Sequence, residues 1–302
     1  MGHDHAHSHQ ISAEADRGKL RIALALILGF MAVEVAIGIA ISSLALLSDA
    51  AHMLSDAVAL GMSLFAIRLA ARPSGGEYTY GWQRAGILSA QFNGATLLIL
   101  GLFIVYEGVH RVIDPPGTEG GIVFLVAIAG IVVNLAATYV LRQANRDSLN
   151  VEGSYQHILT DLLAFVFTAI AGAVIFLTGF EEADGLAALV VAAIMIYASY
   201  GLLRESGRVF LEAAPRGFDP DAIGSAMAAH PGVYEVHDLH LWEVTSGFPS
   251  FSAHVTVDED VDCHAVRLEL EHLLRERFHL DHTTLQVDHR HEDELLQVEL
   301  PR

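Results

Sequence analysis

His52-Met-Leu-Ser-Asp56 and His157-Ile-Leu-Thr-Asp161 repeat one spacing in two apolar stretches of this chain. Residues four apart lie on one face of an α-helix, separated by only about 40° around the axis. Each stretch therefore presents an imidazole and a carboxylate toward the same point. Ionisable side chains are costly inside a bilayer and usually mark the route of an ion. The two pairs predict two membrane helices that offer four N and O ligands, a set that suits a tetrahedral divalent metal, zinc first.

The overall composition is that of a membrane protein. The chain has 302 residues, of which 53% are hydrophobic, and its formal net charge is −19. Its mean hydropathy is positive, which is uncommon for soluble domains. The acidic balance argues against nucleic acid as a partner. A single cysteine, Cys263, excludes an intrachain disulfide framework.

Six apolar stretches reach the roughly 20 residues needed to cross a bilayer. They are predicted at 20–41, 44–70, 85–109, 121–141, 158–177 and 186–203, with the fifth helix beginning near Ser154 so that it includes His157. Apart from Arg111, the basic residues near span ends fall on one side: Arg17, Lys19, Arg21, Arg68, Arg72, Arg84, Arg142, Arg146, Arg204 and Arg208. This bias predicts that both termini face the cytoplasm.

The composition changes after Arg208, where helical and strand-like patterns alternate. A helix is predicted at 220–229, strands at 234–244 and 251–257, a helix at 263–278 and a strand at 283–289. The order αββαβ predicts a small cytoplasmic α+β domain of ferredoxin-like type. The predicted domains are a His-rich cytoplasmic tail (1–18), a six-span all-α transmembrane domain (19–208) and a cytoplasmic metal-binding domain (209–302). A domain this small favours dimerisation.

Longer motifs surround the two metal-ligand pairs. They are Ser-Leu-Ala-Leu-Leu-Ser-Asp-Ala-Ala-His-Met-Leu-Ser-Asp at 43–56, Leu-Asn-Val-Glu-Gly-Ser-Tyr-Gln-His-Ile-Leu-Thr-Asp at 149–161 and Leu-Glu-Ala-Ala-Pro at 211–215. With the six spans and the αββαβ domain, they make residues 19–290 resemble the cation diffusion facilitator family, and within it the cobalt–zinc–cadmium resistance branch. The resemblance implies a homodimeric zinc/proton antiporter of the inner membrane, paired through both of its domains. It also implies that His52, Asp56, His157 and Asp161 form the transport site.

A second group of ligands in the cytoplasmic domain follows from the same resemblance. Matching positions in the family form cytoplasmic zinc sites, which carries the ligand role to His237, His254, His264 and Asp288. Gln286 stands where a further ligand, often histidine, occurs in relatives. Zinc would then be a regulatory ligand as well as the substrate. The alternative is that these are ordinary surface histidines.

Two further groups are candidate accessory metal ligands. Asp49 precedes His52 by about one turn, so it is predicted to lie in the transport site or to support its ligands. The N-terminal tail places histidines at alternate positions: His3, His5, His7 and His9. Such a tract binds zinc or nickel loosely and is predicted to have no fold.

Other polar residues near or within the spans are predicted to hold helices and domains together. Arg84 and Glu212 both fall at the boundary between the membrane and soluble domains, where related transporters use an ion pair to lock the dimer. The alternative for Arg84 is that it extends to lipid headgroups. Glu34, Asn93 and Asn134 are predicted to make hydrogen bonds between helices.

Three functional classes fit some of these observations: a metal transporter, a membrane-bound metalloenzyme and a metal sensor. A zinc exporter driven by proton exchange uses the histidines as proton carriers, because imidazole titrates near neutral pH and metal binding requires its neutral form. A broader exporter of cadmium, cobalt and nickel would use the same residues. A membrane-bound metalloenzyme would need more histidines at helix ends and an open coordination position, and a sensor would not need six spans. The sequence therefore predicts a transporter and not an enzyme.

Overall fold

The computed structural model describes residues 4–40, 44–115 and 120–290. Within these ranges side chains are described except at 4–15, 38, 40, 44–49, 51, 52, 55, 120, 122 and 123. The chain divides into two compact units between Gly207 and Arg208.

The first unit consists of long helices. They are α1 (Asp4–Ala40), α2 (Leu44–Ala70), α3 (Ala85–Ile113), α4 (Gly120–Arg142), α5 (Leu149–Thr178) and α6 (Glu182–Phe210, which continues into the second unit). Each predicted span lies on one of these helices. Among the described residues, five helices are long and apolar enough to cross a membrane, namely α1, α3, α4, α5 and α6. Many side chains of the first half of α2 lie outside that description, and its span stays a prediction.

The start of α1 differs from the prediction. The helix begins at Asp4, so the segment expected to have no fold is helical from that residue onward. Ala13, Glu14 and Ala15 are strong helix formers. They are continuous with an apolar helix, so extending it requires no new nucleation. The expectation that the histidine tract has no fold is therefore wrong for residues 4–9.

Helices α1, α2, α4 and α5 share one apolar core. Its buried residues are Leu20, Ala23, Ile27, Met53, Ala57, Leu60, Ala137, Leu141, Tyr155 and Ile158. Other large apolar side chains point outward, and Ile99 and Tyr197 are 67% and 81% exposed. Outward apolar surface of this kind is what helices facing lipid require.

Two helix crossings leave no space for a side chain. A Cβ atom added at Gly130 of α4 would lie 2.4 Å from the Phe165 ring of α5. A Cβ atom at Gly185 of α6 would lie 2.8 Å from the backbone nitrogen of Val112 in α3. Near the second crossing, Arg111 Nη1 donates a hydrogen bond of 2.6 Å to Asp184 Oδ2. Close backbone approach and one ion pair thus fasten α3 to α6.

The second unit is a three-stranded sheet with two helices. Its elements are α7 (Pro220–Ala228), β1 (Val233–Glu243), β2 (Pro249–Val257), α8 (Cys263–Phe278) and β3 (His282–His289). The strand order is β1-β2-β3, with β1 antiparallel and β3 parallel to β2. The predicted order of elements is confirmed, with bounds close to those expected. Asp219 and Asp262 cap α7 and α8 by accepting hydrogen bonds from backbone N–H groups.

The two faces of this sheet differ sharply in polarity. Phe251, Ala253 and Val255 of β2 are buried in a core that includes Leu270 and Leu274 of α8. Because side chains alternate along a strand, the residues between them lie on the opposite face. That face carries His254, and its side chain is 45% exposed. One face therefore holds the helices, and the other presents polar side chains to solvent.

Candidate metal centre

Helices α2 and α5 bring three of the four predicted transport-site ligands together. His157 Nε2 lies 2.9 Å from Asp56 Oδ1 and 4.0 Å from Asp161 Oδ2. One ligand atom from each residue lies within 4.8 Å of the others. In the part of the chain that the structure describes, this is the one such group of three. Asp56, His157 and Asp161 are 3%, 1% and 3% exposed, so the group is fully buried.

The fourth predicted ligand, His52, lies on α2 one turn before Asp56. Its side chain and that of Asp49 fall outside the described residues. Helix geometry places His52 on the face of α2 that carries Asp56. Its role as a ligand stays a prediction, as does the accessory role of Asp49.

The chemistry of the group suits a divalent cation. Two carboxylates and one imidazole are surrounded by an apolar core that includes Met53 and Ile158. Burying carboxylates away from water is costly unless a cation or hydrogen bonds compensate. A divalent ion bound between them would balance their charge, and zinc accepts imidazole nitrogen and carboxylate oxygen together. The arrangement can therefore hold a divalent ion between α2 and α5.

A buried polar cluster lies near the metal-ligand group, and of its members sequence reasoning singled out only Asn93. We call it the serine–asparagine cluster; its members are Ser63, Ser89, Asn93, Asn150 and Ser154. Ser154 Oγ donates to Ser63 Oγ at 2.7 Å, and Asn150 Nδ2 donates to the Ser63 carbonyl at 3.0 Å. Asn93 Nδ2 lies 3.4 Å from Ser63 Oγ. The signal in the sequence was helical spacing on two of the helices, because Ser63 follows Asp56 by seven residues and Asn150 precedes His157 by seven.

The three polar residues predicted to make hydrogen bonds between helices differ in the contacts that they make. Asn93 makes the predicted hydrogen bond between helices, from α3 to α2. For Asn134 the predicted hydrogen bond between helices is wrong. The hydrogen bond described for its Nδ2 is donated to the Gly130 carbonyl of its own helix at 3.2 Å. Gly130 has no side chain, so its carbonyl is open to a neighbour one turn away. Glu34 is 3% exposed, and its predicted contact between helices stays a prediction.

Three of the predicted cytoplasmic ligands form a row across the sheet. His237 pairs with His254, and His254 pairs with Gln286 on the third strand. The rings of His237 and His254 lie 5.5 Å apart at their centroids. Gln286 Nε2 donates to Asp288 Oδ2 at 2.7 Å, so Asp288 lies beside the end of the row. His264 is in the first turn of α8, where its backbone N–H donates to Asp262. Within the described residues, these five do not form a compact three-ligand group.

Asp238 is a carboxylate near this row that sequence reasoning missed. It has a φ of 49° and lies where the register of β1 shifts between His237 and His240. Such a bulge redirects a side chain. Asp238 Oδ1 lies 2.9 Å from His240 Nε2, and its Oδ2 lies 3.9 Å from His254 Nε2. The His-Asp-Leu-His sequence at 237–240 contained this information, because it sets a carboxylate between two histidines.

The remaining predicted residues are the Arg84–Glu212 pair and the N-terminal histidines. Arg84 immediately precedes α3, and Glu212 follows α6 with a φ of 55°. Their pairing stays a prediction. The side chains of the N-terminal histidines lie outside the described residues. The turn before Arg84 is ordered by stacking of Tyr78 on Trp82, with ring centroids 4.0 Å apart.

Comparison with known proteins identifies both units. Residues 20–211 match the cation efflux transmembrane domain, and residues 215–290 match the cytoplasmic domain of cation efflux proteins. The isolated, metal-bound C-terminal domain of the CzcD transporter from Cupriavidus metallidurans is 37% identical and covers 23% of this chain and 97% of its own, with a TM-score of 0.22.

Full-length relatives match most of the chain. The metal cation efflux system protein CzcD of Cupriavidus metallidurans is 39% identical, covering 86% of this chain and 82% of the relative. The cadmium, cobalt and zinc/H⁺-K⁺ antiporter of Bacillus subtilis is 33% identical over 89% and 88%. The zinc transporter ZitB of Escherichia coli is 34% identical over 86% and 84%. The chain therefore belongs to the cation efflux family of multi-pass membrane proteins, a family of metal transporters and not of enzymes.

Proposed function

We propose that this protein exports zinc from the cytoplasm in exchange for protons, by alternating access to the site on α2 and α5. The observation that carries the proposal is the buried group of Asp56, His157 and Asp161, with ligand atoms within 4.8 Å of one another. Ionisable groups at such a position in a membrane protein mark an ion path. Relatives named as zinc and as cadmium, cobalt and zinc transporters support the choice of ion.

The finer architecture belongs to the same proposal. We infer six membrane spans within a domain at 19–208, a His-rich tail at 1–18 and a metal-binding ferredoxin-like domain at 209–302. The order αββαβ supports the ferredoxin-like fold, and the basic residues on one side support cytoplasmic termini and an inner-membrane location. The protein would act as a homodimer in the lipid bilayer, paired through both domains.

Proton exchange follows from the ligand chemistry. A metal binds the neutral imidazole and the ionised carboxylates, so protons and metal compete for the same side chains. Protonation at the outward face would release zinc, and deprotonation at the inward face would restore the site. The word antiporter in the name of the Bacillus subtilis relative supports this cycle.

Metal uptake into inverted membrane vesicles tests the proposal directly. Zinc should accumulate when the vesicle interior is acidic, and the internal pH should rise as zinc enters. A protonophore that removes the gradient should stop the accumulation. Uptake that ignores the gradient, or no uptake at all, would contradict the proposed exchange.

Exchange of one predicted ligand should change metal selectivity. His52→Asp replaces an imidazole by a harder oxygen ligand, which suits larger or harder ions better. We expect cadmium or manganese to compete with zinc more effectively in this variant than in the native protein. His110→Asp makes the same change in the last turn of α3, away from the metal-ligand group, and should keep the native ranking. An unchanged ranking in His52→Asp would remove His52 from the selectivity ligands.

Zinc binding at the sheet of the second unit can be separated from the transport site. In the full-length protein, His237→Ala with His254→Ala should remove one class of zinc sites in calorimetric titration and leave the buried class. His272→Ala changes an exposed histidine on α8 and serves as the control. Equal zinc stoichiometry in the native protein, the double variant and the control would favour the alternative that these are ordinary surface histidines.

A broader exporter is the second candidate. Relatives include a cadmium, cobalt and zinc antiporter as well as a zinc transporter. A ligand group with two carboxylates would also accept cobalt and cadmium. Competition by these ions for zinc uptake in the native protein distinguishes the two candidates.

A further inference from the structure

The serine–asparagine cluster and the metal-ligand group lie along the same two helices. Ser63 follows Asp56 by seven residues on α2, and Ser154 precedes His157 by three residues on α5. The helices are antiparallel here, because Ser63 contacts Ser154 and Asp56 contacts His157. The two contacts are therefore separated by about 10 Å along α2 and by about 5 Å along α5.

Within this cluster Ser63 is held at two points by α5. Its hydroxyl accepts from Ser154 Oγ at 2.7 Å, and its carbonyl accepts from Asn150 Nδ2 at 3.0 Å. Asn93 and Ser89 of α3 approach the same hydroxyl at 3.4 and 3.3 Å. Two hydrogen bonds from one helix to one residue of another oppose both sliding and rotation.

The hydrogen bonds between helices in this cluster converge on one residue. Each of those described has Ser63 as a partner, from Ser89 and Asn93 of α3 and from Asn150 and Ser154 of α5. The geometry of the cluster is therefore organised around Ser63.

We propose that Ser63, Ser154 and Asn150 are positioning residues that set the separation of the metal ligands on α2 and α5, and so determine the preference for zinc over larger cations. A slide by one residue moves a helix about 1.5 Å. Zinc–ligand distances tolerate only about 0.2 Å. A site built from two helices therefore needs a fixed register, and these hydrogen bonds join those helices near the ligands. The inference rests on the proposed metal site.

The test compares Ser63→Ala, Ser154→Ala and the double variant with Ser206→Ala. Ser206 is as buried as Ser63, but its hydroxyl donates to Leu202 within its own helix, so it is a matched control. Purified protein is titrated with Co²⁺, whose visible absorption reports tetrahedral ligand geometry, and with Zn²⁺ against Cd²⁺. We expect the single variants to shift the Co²⁺ spectrum and to lower the preference for Zn²⁺ about tenfold. The double variant should add little, because both changes remove one shared bond.

The outcomes separate this inference from the proposed function. A native Co²⁺ spectrum and metal preference in Ser63→Ala and Ser154→Ala, with binding lost in Asp161→Ala, would overturn the positioning role and leave the metal site intact. A shift of equal size in Ser206→Ala would also overturn it, since any buried hydroxyl would then have the same effect. Absence of a tetrahedral Co²⁺ spectrum in the native protein would overturn both.

Discussion

Replacing Asp161 by alanine should abolish zinc transport while leaving the protein folded. The carboxylate is 3% exposed and lies 4.0 Å from His157 Nε2, within the group that can hold one ion. Removing it deletes one of four predicted ligands and leaves the ion with uncompensated positive charge in an apolar core. Its removal should not unfold the helices, because burying a carboxylate away from water costs free energy that an apolar side chain does not. Uptake in vesicles and the melting temperature in detergent measure the two effects separately.

A second variant tests whether the charge or the shape of the Asp161 side chain matters, and a third serves as a control. Asp161→Asn keeps the size of the side chain but loses the ionised oxygen, and it should fail to transport as well. Thr160→Ala changes the neighbouring buried residue, whose described hydrogen bond is donated to the Gln156 carbonyl of the same helix. It should transport zinc normally. Native uptake by Asp161→Ala would contradict the assignment of the transport site.

A single methyl group at Gly130 should impair both folding and transport. Alanine there would place its Cβ 2.4 Å from the Phe165 ring, well inside van der Waals contact. Overpacking of this kind typically costs about 1–3 kcal/mol. Phe165 lies one turn after Asp161 on α5, so displacing its ring also displaces the helix that carries two ligands. We expect a lower melting temperature and slower zinc uptake.

A glycine-to-alanine substitution at an open position should not lower the stability of the protein. Gly201 of α6 has no atom within 4 Å of an added Cβ. Because alanine is the better helix former, Gly201→Ala should leave stability unchanged or raise it by up to about 1 kcal/mol. Phe165→Leu in the Gly130→Ala background removes the clashing ring and should recover part of the loss. If Gly130→Ala melts like the native protein, the close crossing of α4 and α5 is not required.

Much of the architecture was predictable because it follows from local patterns. Hydrophobic length located the helices, and alternation located the strands of the second unit. The His-x-x-x-Asp spacing placed His157 and Asp161 on one face, since that relation depends only on the helical repeat. The meeting of Asp56 with His157 was predictable only as a hypothesis, because it requires two helices to pack in one register.

The rest depended on contacts between distant parts of the chain. Ser63 and Ser154 are ordinary residues in sequence, and their importance appears only when α2 and α5 are adjacent. Asp238 is displaced by a bulge, which an alternating pattern does not indicate. These two cases involve tertiary packing and backbone irregularity, and neither is encoded in spacing alone. The helical start of α1 is different, because it continues an apolar helix through residues that favour helix.

The buried carboxylates also affect how stable the purified protein is with and without bound metal. An ion that binds the native state and not the unfolded chain adds to the free energy of unfolding, by about 2.7 kcal/mol at one hundred times its dissociation constant. If the cargo binds between Asp56 and Asp161 as proposed, it would also be a stabilising ligand. Chelators used during purification would remove that contribution, and the protein at rest between cycles would be its least stable form.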